Sequence, residues 1–119
     1  MAREPLIGIV GPCGAGKSTL AANLATHYQH VRAIAQEHSY VPDMWRRITN
    51  PDILVYLDAS YAATVERRQL GWTEKEYRIE LDRLANARIH ADIHILTDNL
   101  DPKGVLEACL KELSSLQAE

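Results

Sequence analysis

The segment Gly11 to Thr19 constrains the fold of this chain more than any other part of the sequence. It reads Gly-Pro-Cys-Gly-Ala-Gly-Lys-Ser-Thr and matches the pattern G-x-x-x-x-G-K-[ST]. Glycine adopts positive φ angles without steric penalty, so this density of glycine predicts a tight loop. The apolar run Leu6 to Val10 precedes the loop, and an amphipathic pattern from about Gly16 to Tyr28 follows it. We therefore predict a strand, a glycine-rich loop and a helix in succession.

A loop of this kind can surround an anion. Its backbone N–H groups converge, and the helix that begins at its end contributes the positive end of its dipole. Lys17 would reach the β- and γ-phosphates of a nucleotide, and the Ser18 hydroxyl would bind Mg²⁺. The pattern thus predicts that ATP or a related nucleotide, with Mg²⁺, is bound by Gly11, Pro12, Cys13, Gly14, Ala15, Gly16, Lys17, Ser18 and Thr19. The competing interpretation is a glycine-rich turn without a ligand.

The rest of the chain alternates short apolar runs with helical patterns, which is typical of a parallel α/β layer structure. The predicted strands are Leu6 to Val10, Val31 to about Gln36, Ile53 to Leu57 and about Asp92 to Leu96. After the first helix, helical segments are predicted at Pro42 to Arg47, from Ser60 to about Leu70, after the capping box Thr73 to Glu76, and from Pro102 onward. Tyr77, Leu81, Leu84 and Ala85 are predicted to face the core, as are Leu106, Leu110 and Leu113.

Right-handed crossovers restrict the topology of such a chain. We predict a small parallel sheet of about four strands in the order 2-1-3-4, with helices on both faces in three layers. Residues 1–119 are expected to form a single domain, because a chain of this length has room for one. The ligand would then bind beside the first strand, at the switch point of the sheet.

Composition narrows the choice of partners. The net charge is −3 and no run of Lys or Arg forms a basic stripe, which argues against nucleic acid. No apolar stretch approaches the ~20 residues of a membrane span, and no signal peptide is visible. Cys13 and Cys109 fit no paired or metal-ligand spacing, so we expect free thiols and a cytoplasmic protein. Self-association is left open.

Three segments together resemble the P-loop small-molecule kinases. They are the glycine-rich loop, residues 53–60 followed by Arg67-Arg68, and residues 91–98. The likeness is to the shikimate, gluconate and adenylate kinase group. It implies a P-loop NTPase fold and transfer of the γ-phosphoryl group of Mg-ATP to a hydroxyl acceptor. It also implies that Arg67 and Arg68 act from a lid, and that residues 97–102, with Asp98 and Leu100, pack on adenine. Only residues 37–50 stand where that group has an acceptor-binding segment, and residues 69–75 replace its lid.

Two acidic residues are candidates for the magnesium site. Glu37 follows the second strand and Asp58 ends the third, so both lie at strand ends near the loop. Such a carboxylate can hold Mg²⁺ through water, and Glu37 can also act as a general base. The alternatives are a solvated strand end for Glu37 and a carboxylate near the start of a helix for Asp58.

Other side chains allow both a functional and a structural interpretation. Arg67 and Arg68 would contact the phosphoryl group or be solvated, with Arg83 and Arg88 as alternatives. The patch His38, Ser39, Tyr40, Met44 and Trp45 would either line an acceptor pocket or cover the core. Cys13 would either have a pKa lowered by the loop dipoles or be a passive small residue. His90, Asp92 and His94 lack a fourth ligand, which argues against a metal site.

The sequence supports two classes of function. The first is a minimal phosphotransferase, with the acceptor near residues 37–45. The second is a nucleotide-binding or sensing module without a small-molecule acceptor, of which a slow NTPase is a variant. The short acceptor and lid regions favour the second class, and the resemblance favours the first.

Overall fold

The computed structural model describes residues 4–68 and 71–117. The strands are β1 (Leu6–Val10), β2 (His30–Ala33), β3 (Ile53–Asp58) and β4 (Ile93–Leu96). The helices are α1 (Lys17–Leu24), α2 (Tyr61–Arg68), α3 (Glu74–His90) and α4 (Pro102–Gln117). A 3₁₀ turn spans Gln36–His38 and a π-type turn spans Trp45–Thr49. Within the described ranges, none of the helices combines the length and the apolar character needed to cross a membrane.

The sheet has the predicted topology. Its four strands are all parallel and lie in the order β2-β1-β3-β4. Ile9 lies opposite Ala33 of β2 on one side and opposite Val55 of β3 on the other. The first strand therefore lies between the second and the third strand in the sheet. The loop after β1 therefore emerges between the carboxyl ends of β2 and β3, at the switch point.

Helices cover both faces of the sheet, and each face has its own core. Alternating strand residues explain this division, because successive side chains of a strand point to opposite faces. On one face, α1 and α4 pack Leu20, Leu24, Cys109 and Leu113 against Ile9, Val55 and Ile95. On the other face, Leu84 and Ala87 of α3, with Trp45, pack against Val10, Leu54 and Tyr56.

Three predicted helix starts are confirmed, whereas the helical segment predicted at Pro42 to Arg47 is a turn followed by the π-type turn Trp45–Thr49. Thr73 and Glu76 form a reciprocal capping box at α3. The Ser60 hydroxyl accepts a hydrogen bond from the Ala63 N–H, and Asp101 Oδ1 accepts one from the Gly104 N–H at 2.7 Å. The described part of the predicted helix from Ser60 to Leu70 ends at Arg68, and residues 69 and 70 lie outside the described residues.

The predicted core faces of two helices are confirmed in part. In α3, Leu84 is buried as predicted, whereas Ala85 is exposed and the other buried side chains are Glu80 and Ala87. In α4, Leu113 is buried and Leu106 and Leu110 pack against the core as predicted, but the prediction omits Val105 and Cys109, which are also buried.

The second strand is shorter than predicted. It ends at Ala33, and Gln36 lies in a 3₁₀ turn with its side chain completely buried. The side-chain amide donates to Val41 O at 2.9 Å and to Arg83 O at 3.1 Å, and Gln36 Oε1 accepts from the Trp45 N–H at 2.9 Å. These bonds tie the turn after β2 to the segment at Val41 to Trp45 and to α3, so the chain turns toward α3 here.

We expect Gln36→Leu to destabilise the protein, because it leaves the buried Trp45 N–H without its acceptor and removes the two hydrogen bonds that the Gln36 amide donates. The loss should be about 3 kcal/mol in free energy of unfolding, measured by urea denaturation. The matched control is Gln29→Leu, the same chemical change at an exposed position, which should stay close to the wild type. Equal effects of the two substitutions would contradict the role assigned to Gln36.

Candidate functional site

The β1–α1 loop depends on glycine at two positions for different reasons. A Cβ on Gly11 would lie 2.5 Å from the backbone oxygen of Leu57, so only glycine lets the loop run this close to β3. Gly16 caps α1 with φ 95° and ψ 26°, in the left-handed region that other residues avoid. The loop is thus held against the sheet at one end and turned into the helix at the other.

Lys17 folds back over this loop. Its Nζ donates to Gly11 O at 2.8 Å and to Pro12 O at 3.3 Å. The same ammonium forms an ion pair with Glu37 Oε2 at 2.7 Å. The side chains are 11% and 5% exposed, so the pair is shielded from water and its attraction is weakly screened. The structure therefore brings together the loop lysine and the acidic residue that follows β2.

Glu37 has one oxygen without a hydrogen-bond partner. Its Oε1 is buried and contacts no donor among the described residues. A buried polar atom left unpaired costs about 1–3 kcal/mol, and native structures contain few of them. This oxygen is therefore an exception among the buried polar atoms of the described residues.

Glu80 is a site residue that the sequence prediction missed. It is 7% exposed, and its Oε1 accepts the backbone N–H of Cys13 at 2.8 Å, so a carboxylate from α3 holds one of the loop amides. The signal was present in the sequence, because Glu80 lies one helical turn from both Tyr77 and Leu84 on the inward stripe. A carboxylate on an apolar helix face needs a buried partner, and the loop amide is that partner.

Cys13 lies among these groups. Its Sγ is 3.6 Å from His38 Nε2 and 4.0 Å from Glu37 Oε2. Burial, then the hydrogen bond and charge of Glu80, raise the pKa of the Cys13 thiol to about 11, and the charge of Lys17 opposes this only weakly. A lowered pKa was the functional expectation for this residue, and it is wrong. Burial of the thiol is the main reason that its pKa is raised, and the carboxylates of Glu80 and Glu37 add to the effect.

A cleft of about 330 Å³ opens beside the loop, on the face of the sheet that carries α1 and α4. Its floor is the loop backbone at Gly14 to Gly16. Leu100, Pro102 and Val105, around the start of α4, form an apolar wall. Of the segment 97–102 that is predicted to contact a base, Thr97, Leu100 and Pro102 line this concave space, and Asp98 does not.

Arg67 and Arg68 border the cleft in different ways. Arg67 Nη1 donates to Thr97 Oγ1 at 2.8 Å and to Gly14 O at 3.2 Å, and Nη2 donates to Thr97 O. Arg68 places its guanidinium 4.7 Å from the centroid of the Trp72 ring. Arg67 thus bridges the loop and the end of β4, whereas Arg68 stacks on an aromatic side chain at the mouth of the cleft.

Other predicted residues lie away from the loop lysine or do not line the cleft. Asp98 accepts the Ser60 N–H with Oδ1 at 2.9 Å, and this bond lowers the pKa of Asp98. Asp58 pairs with Arg88 at 3.4 Å and lines a separate cleft beside α3. Ser18 is exposed in the first turn of α1. Of the two acidic candidates for Mg²⁺, only Glu37 meets Lys17.

Some side chains of the patch after β2 pack in the core, and others are exposed to solvent. Trp45 is 5% exposed, and Met44 packs against the same core. Tyr40 is exposed, with the Arg83 guanidinium 4.6 Å from its ring centroid. Arg83 also donates to Glu37 O at 3.3 Å and so supports the turn that carries the carboxylate. The apolar members of this patch therefore complete the core.

His90, Asp92 and His94 each have a backbone partner. His90 Nδ1 bonds Asn86 O at 2.9 Å, and His94 Nε2 bonds Arg88 O at 2.8 Å. Asp92 Oδ2 accepts the Leu54 N–H at 2.8 Å.

No protein-family model matches the chain, and no curated protein shows significant sequence similarity to it. Function must therefore be inferred from the residues around the β1–α1 loop: the buried pair of Lys17 and Glu37, the carboxylate of Glu80, and the cleft bordered by Arg67.

The raised pKa of Cys13 predicts slow alkylation. At pH 8 the thiol stays protonated, and Glu80→Gln should lower its pKa by removing a negative charge and an acceptor. Alkylation by iodoacetamide at pH 8 should then accelerate by about tenfold for each unit that the pKa falls. Peptide mapping by mass spectrometry separates Cys13 from the buried Cys109. The control Glu107→Gln, on the exposed face of α4, should react like the wild type; a slower reaction of Glu80→Gln would refute the assignment.

Proposed function

We propose that this chain has a P-loop NTPase fold, binds Mg-ATP or a related nucleotide on the β1–α1 loop, and transfers the γ-phosphoryl group to a hydroxyl of a small acceptor. The proposal unites the G-x-x-x-x-G-K-[ST] pattern with the resemblance to P-loop small-molecule kinases. The parallel sheet, with the loop at its switch point, supports it.

The phosphate part of the proposal depends on Lys17. Its ammonium has three hydrogens, and the structure directs them to two loop carbonyls and to Glu37. A polyphosphate placed in the loop presents oxygens that are stronger acceptors than a carbonyl, because they carry charge. On phosphate binding, the Lys17 ammonium would exchange its hydrogen bond to a loop carbonyl for one to a phosphate oxygen.

The unpartnered oxygen of Glu37 carries the proposal of catalysis. A carboxylate buried solely for stability would have both oxygens satisfied, since an orphaned one is destabilising. Next to a bound γ-phosphoryl group, this oxygen would either hold a water of Mg²⁺ or accept the proton of the acceptor hydroxyl. Mg²⁺ would supply charge neutralisation at the phosphates, with Ser18 and Glu37 as the residues of this chain that hold it.

The cleft supports the assignment of a nucleotide rather than a simple phosphate. Leu100, Pro102 and Val105 give it an apolar wall, and the loop backbone at Gly14 to Gly16 separates it from Lys17. A flat, partly apolar base fits a concave site of this composition. Arg67, fixed by Thr97 and Gly14, lies between the base region and the loop. From there it would stabilise charge on the phosphates.

A second function has an observation in its favour. The segment after β2, where an acceptor would bind, uses Gln36, Met44 and Trp45 for packing. Toward solvent, this segment leaves His38, Tyr40, Val41 and Pro42 exposed. A nucleotide-binding module or slow NTPase needs no acceptor pocket, so it is compatible with a segment that uses Gln36, Met44 and Trp45 for packing. Under the first proposal a hydroxyl compound gains phosphate, and under the second ADP forms only slowly or not at all.

We expect Glu37→Gln to retain binding of Mg-ADP and to lose turnover by about 100-fold or more, because the amide keeps the shape but not the basicity of the carboxylate. Binding is measured by calorimetry, and turnover by ADP release with a panel of hydroxyl acceptors. Glu107→Gln is the matched control. Wild-type turnover in Glu37→Gln would exclude a catalytic role, and absence of heat with every di- and triphosphate would exclude the nucleotide site.

Replacing Lys17 tests phosphate binding. Lys17→Ala alone leaves the Glu37 charge buried and unpaired, which should destabilise the fold by about 3–5 kcal/mol. The double variant Lys17→Met with Glu37→Gln removes both charges and should unfold at a denaturant concentration nearer that of the wild type. It should still fail to bind Mg-ADP in calorimetry. Binding of wild-type strength in this folded variant would show that the loop lysine does not hold phosphate.

The base cleft is tested with Leu100→Asp, at a position that lines the cleft and is 37% exposed. The matched control is Leu116→Asp, at a position that does not line the cleft and is 40% exposed. The first should weaken Mg-ATP binding by about tenfold through lost apolar contact, and the second should not. Tripolyphosphate has no base, so its affinity should change far less in Leu100→Asp. Equal losses for both ligands would argue against a base in this cleft.

A further inference from the structure

We propose that Cys13, His38 and Glu80 form a binding site for a transition-metal ion of the Zn²⁺ type. The three residues come from the β1–α1 loop, the turn after β2 and helix α3, and their ligand atoms all lie within 4.8 Å of one another. This site is distinct in chemistry from the proposed magnesium position, and it does not rest on the proposed nucleotide function.

The geometry of the sulfur and nitrogen atoms suits zinc. Zn²⁺ binds thiolate sulfur at about 2.3 Å and imidazole nitrogen at about 2.0–2.1 Å in a tetrahedral arrangement, which puts the two ligand atoms about 3.6 Å apart. The distance from Cys13 Sγ to His38 Nε2 is 3.6 Å. An ion could therefore bind between these two side chains without moving their ligand atoms apart.

The donor set selects the class of metal. Thiolate and imidazole are ligands of Zn²⁺, Co²⁺ and related ions, whereas Mg²⁺ and Ca²⁺ prefer oxygen alone. Glu80 contributes a carboxylate, and since a carboxylate has two oxygens with several lone pairs, it can keep the Cys13 N–H on Oε1 and still coordinate. The resulting set of one sulfur, one nitrogen and one oxygen leaves a fourth position.

Glu37 provides a second, independent indication. Its Oε2 is 3.8 Å from His38 Nε2 and 4.0 Å from Cys13 Sγ, so its carboxylate borders two of the three residues. The Glu37 side chain is 5% exposed, so its charge is weakly screened by water. A cation bound by Cys13 and His38 would therefore lie beside a buried negative charge that favours it.

Charge balance also favours a cation. Two buried carboxylates, Glu37 and Glu80, face the cluster, and Lys17 is the ammonium paired with the first of them. On binding, the thiol of Cys13 releases its proton to solvent and the sulfur binds the metal as thiolate, with no change of oxidation state. Of the two carboxylates, only Glu37 has an ammonium partner, so a bound cation would neutralise the charge of Glu80.

The test uses Co²⁺ as a spectroscopic substitute, added to the full chain after treatment with a chelator and without nucleotide. The wild type should bind one equivalent, with a thiolate-to-cobalt absorption band in the near ultraviolet and the intense visible bands of a tetrahedral site. Cys13→Ser should lose the thiolate band. Cys13→Ser and His38→Gln should each weaken Zn²⁺ binding in competition titrations by about 100-fold or more. Loss of a residue that only supports a metal ligand weakens binding by up to about 100-fold, and loss of a ligand itself should cost at least as much.

The controls are Cys109→Ala, which removes the other free thiol, and His27→Gln, which removes another exposed imidazole. Both should keep the band and the affinity of the wild type, and circular dichroism verifies that every variant is folded. The proposal is overturned if the wild type gives only the weak spectrum of an octahedral, oxygen-ligated ion, or if folded Cys13→Ser binds as tightly as Cys109→Ala. Nucleotide is absent throughout, so failure here leaves the calorimetry of Mg-ADP as a separate result.

Discussion

The pairing of β1 with both β2 and β3 determines where every important group of this protein lies. Since all strands are parallel, their carboxyl ends meet at one edge, and the loop after β1 has a neighbouring strand end on each side. Glu37 approaches from the β2 side and meets Lys17, while Leu57 at the end of β3 presses against Gly11. Without this strand order the lysine and the glutamate would have no reason to meet, and the loop would lack its support.

Negative charge around the loop follows from that arrangement. Glu37 neutralises Lys17, and Glu80 holds a loop amide that a phosphate would otherwise accept from. Burial raises the pKa of the Cys13 thiol, and the charges of these two carboxylates raise it further. The loop is therefore stabilised by the protein's own carboxylates. An incoming anion would exchange these contacts for its own, and a cation would add to them.

The sequence predicted the glycine-rich loop, the four strands and their order, because each depends on local chemistry or on a handedness rule. Glycine at positions 11 and 16, the capping residues Thr73 and Asp101, and runs such as Ile53 to Leu57 leave few alternatives. The prediction of the core-facing residues of α3 and α4 was less accurate. A stripe of mixed Leu and Ala residues defines a helix face only to within a fraction of a turn, and the sheet it packs on selects the rest.

By itself, then, the amino-acid sequence determined the class of fold and the position of the loop with Lys17, since both arise from short-range patterns. Only the tertiary structure decided that Glu37 rather than Asp58 meets this lysine, and that Glu80 reaches the loop. It also decided that Trp45 belongs to the core. These outcomes depend on contacts between residues 20 to 67 positions apart, such as the hydrogen bond from Cys13 to Glu80. Which of two strand-end carboxylates turns inward depends on the helices packed beside it, and no local pattern carries that information.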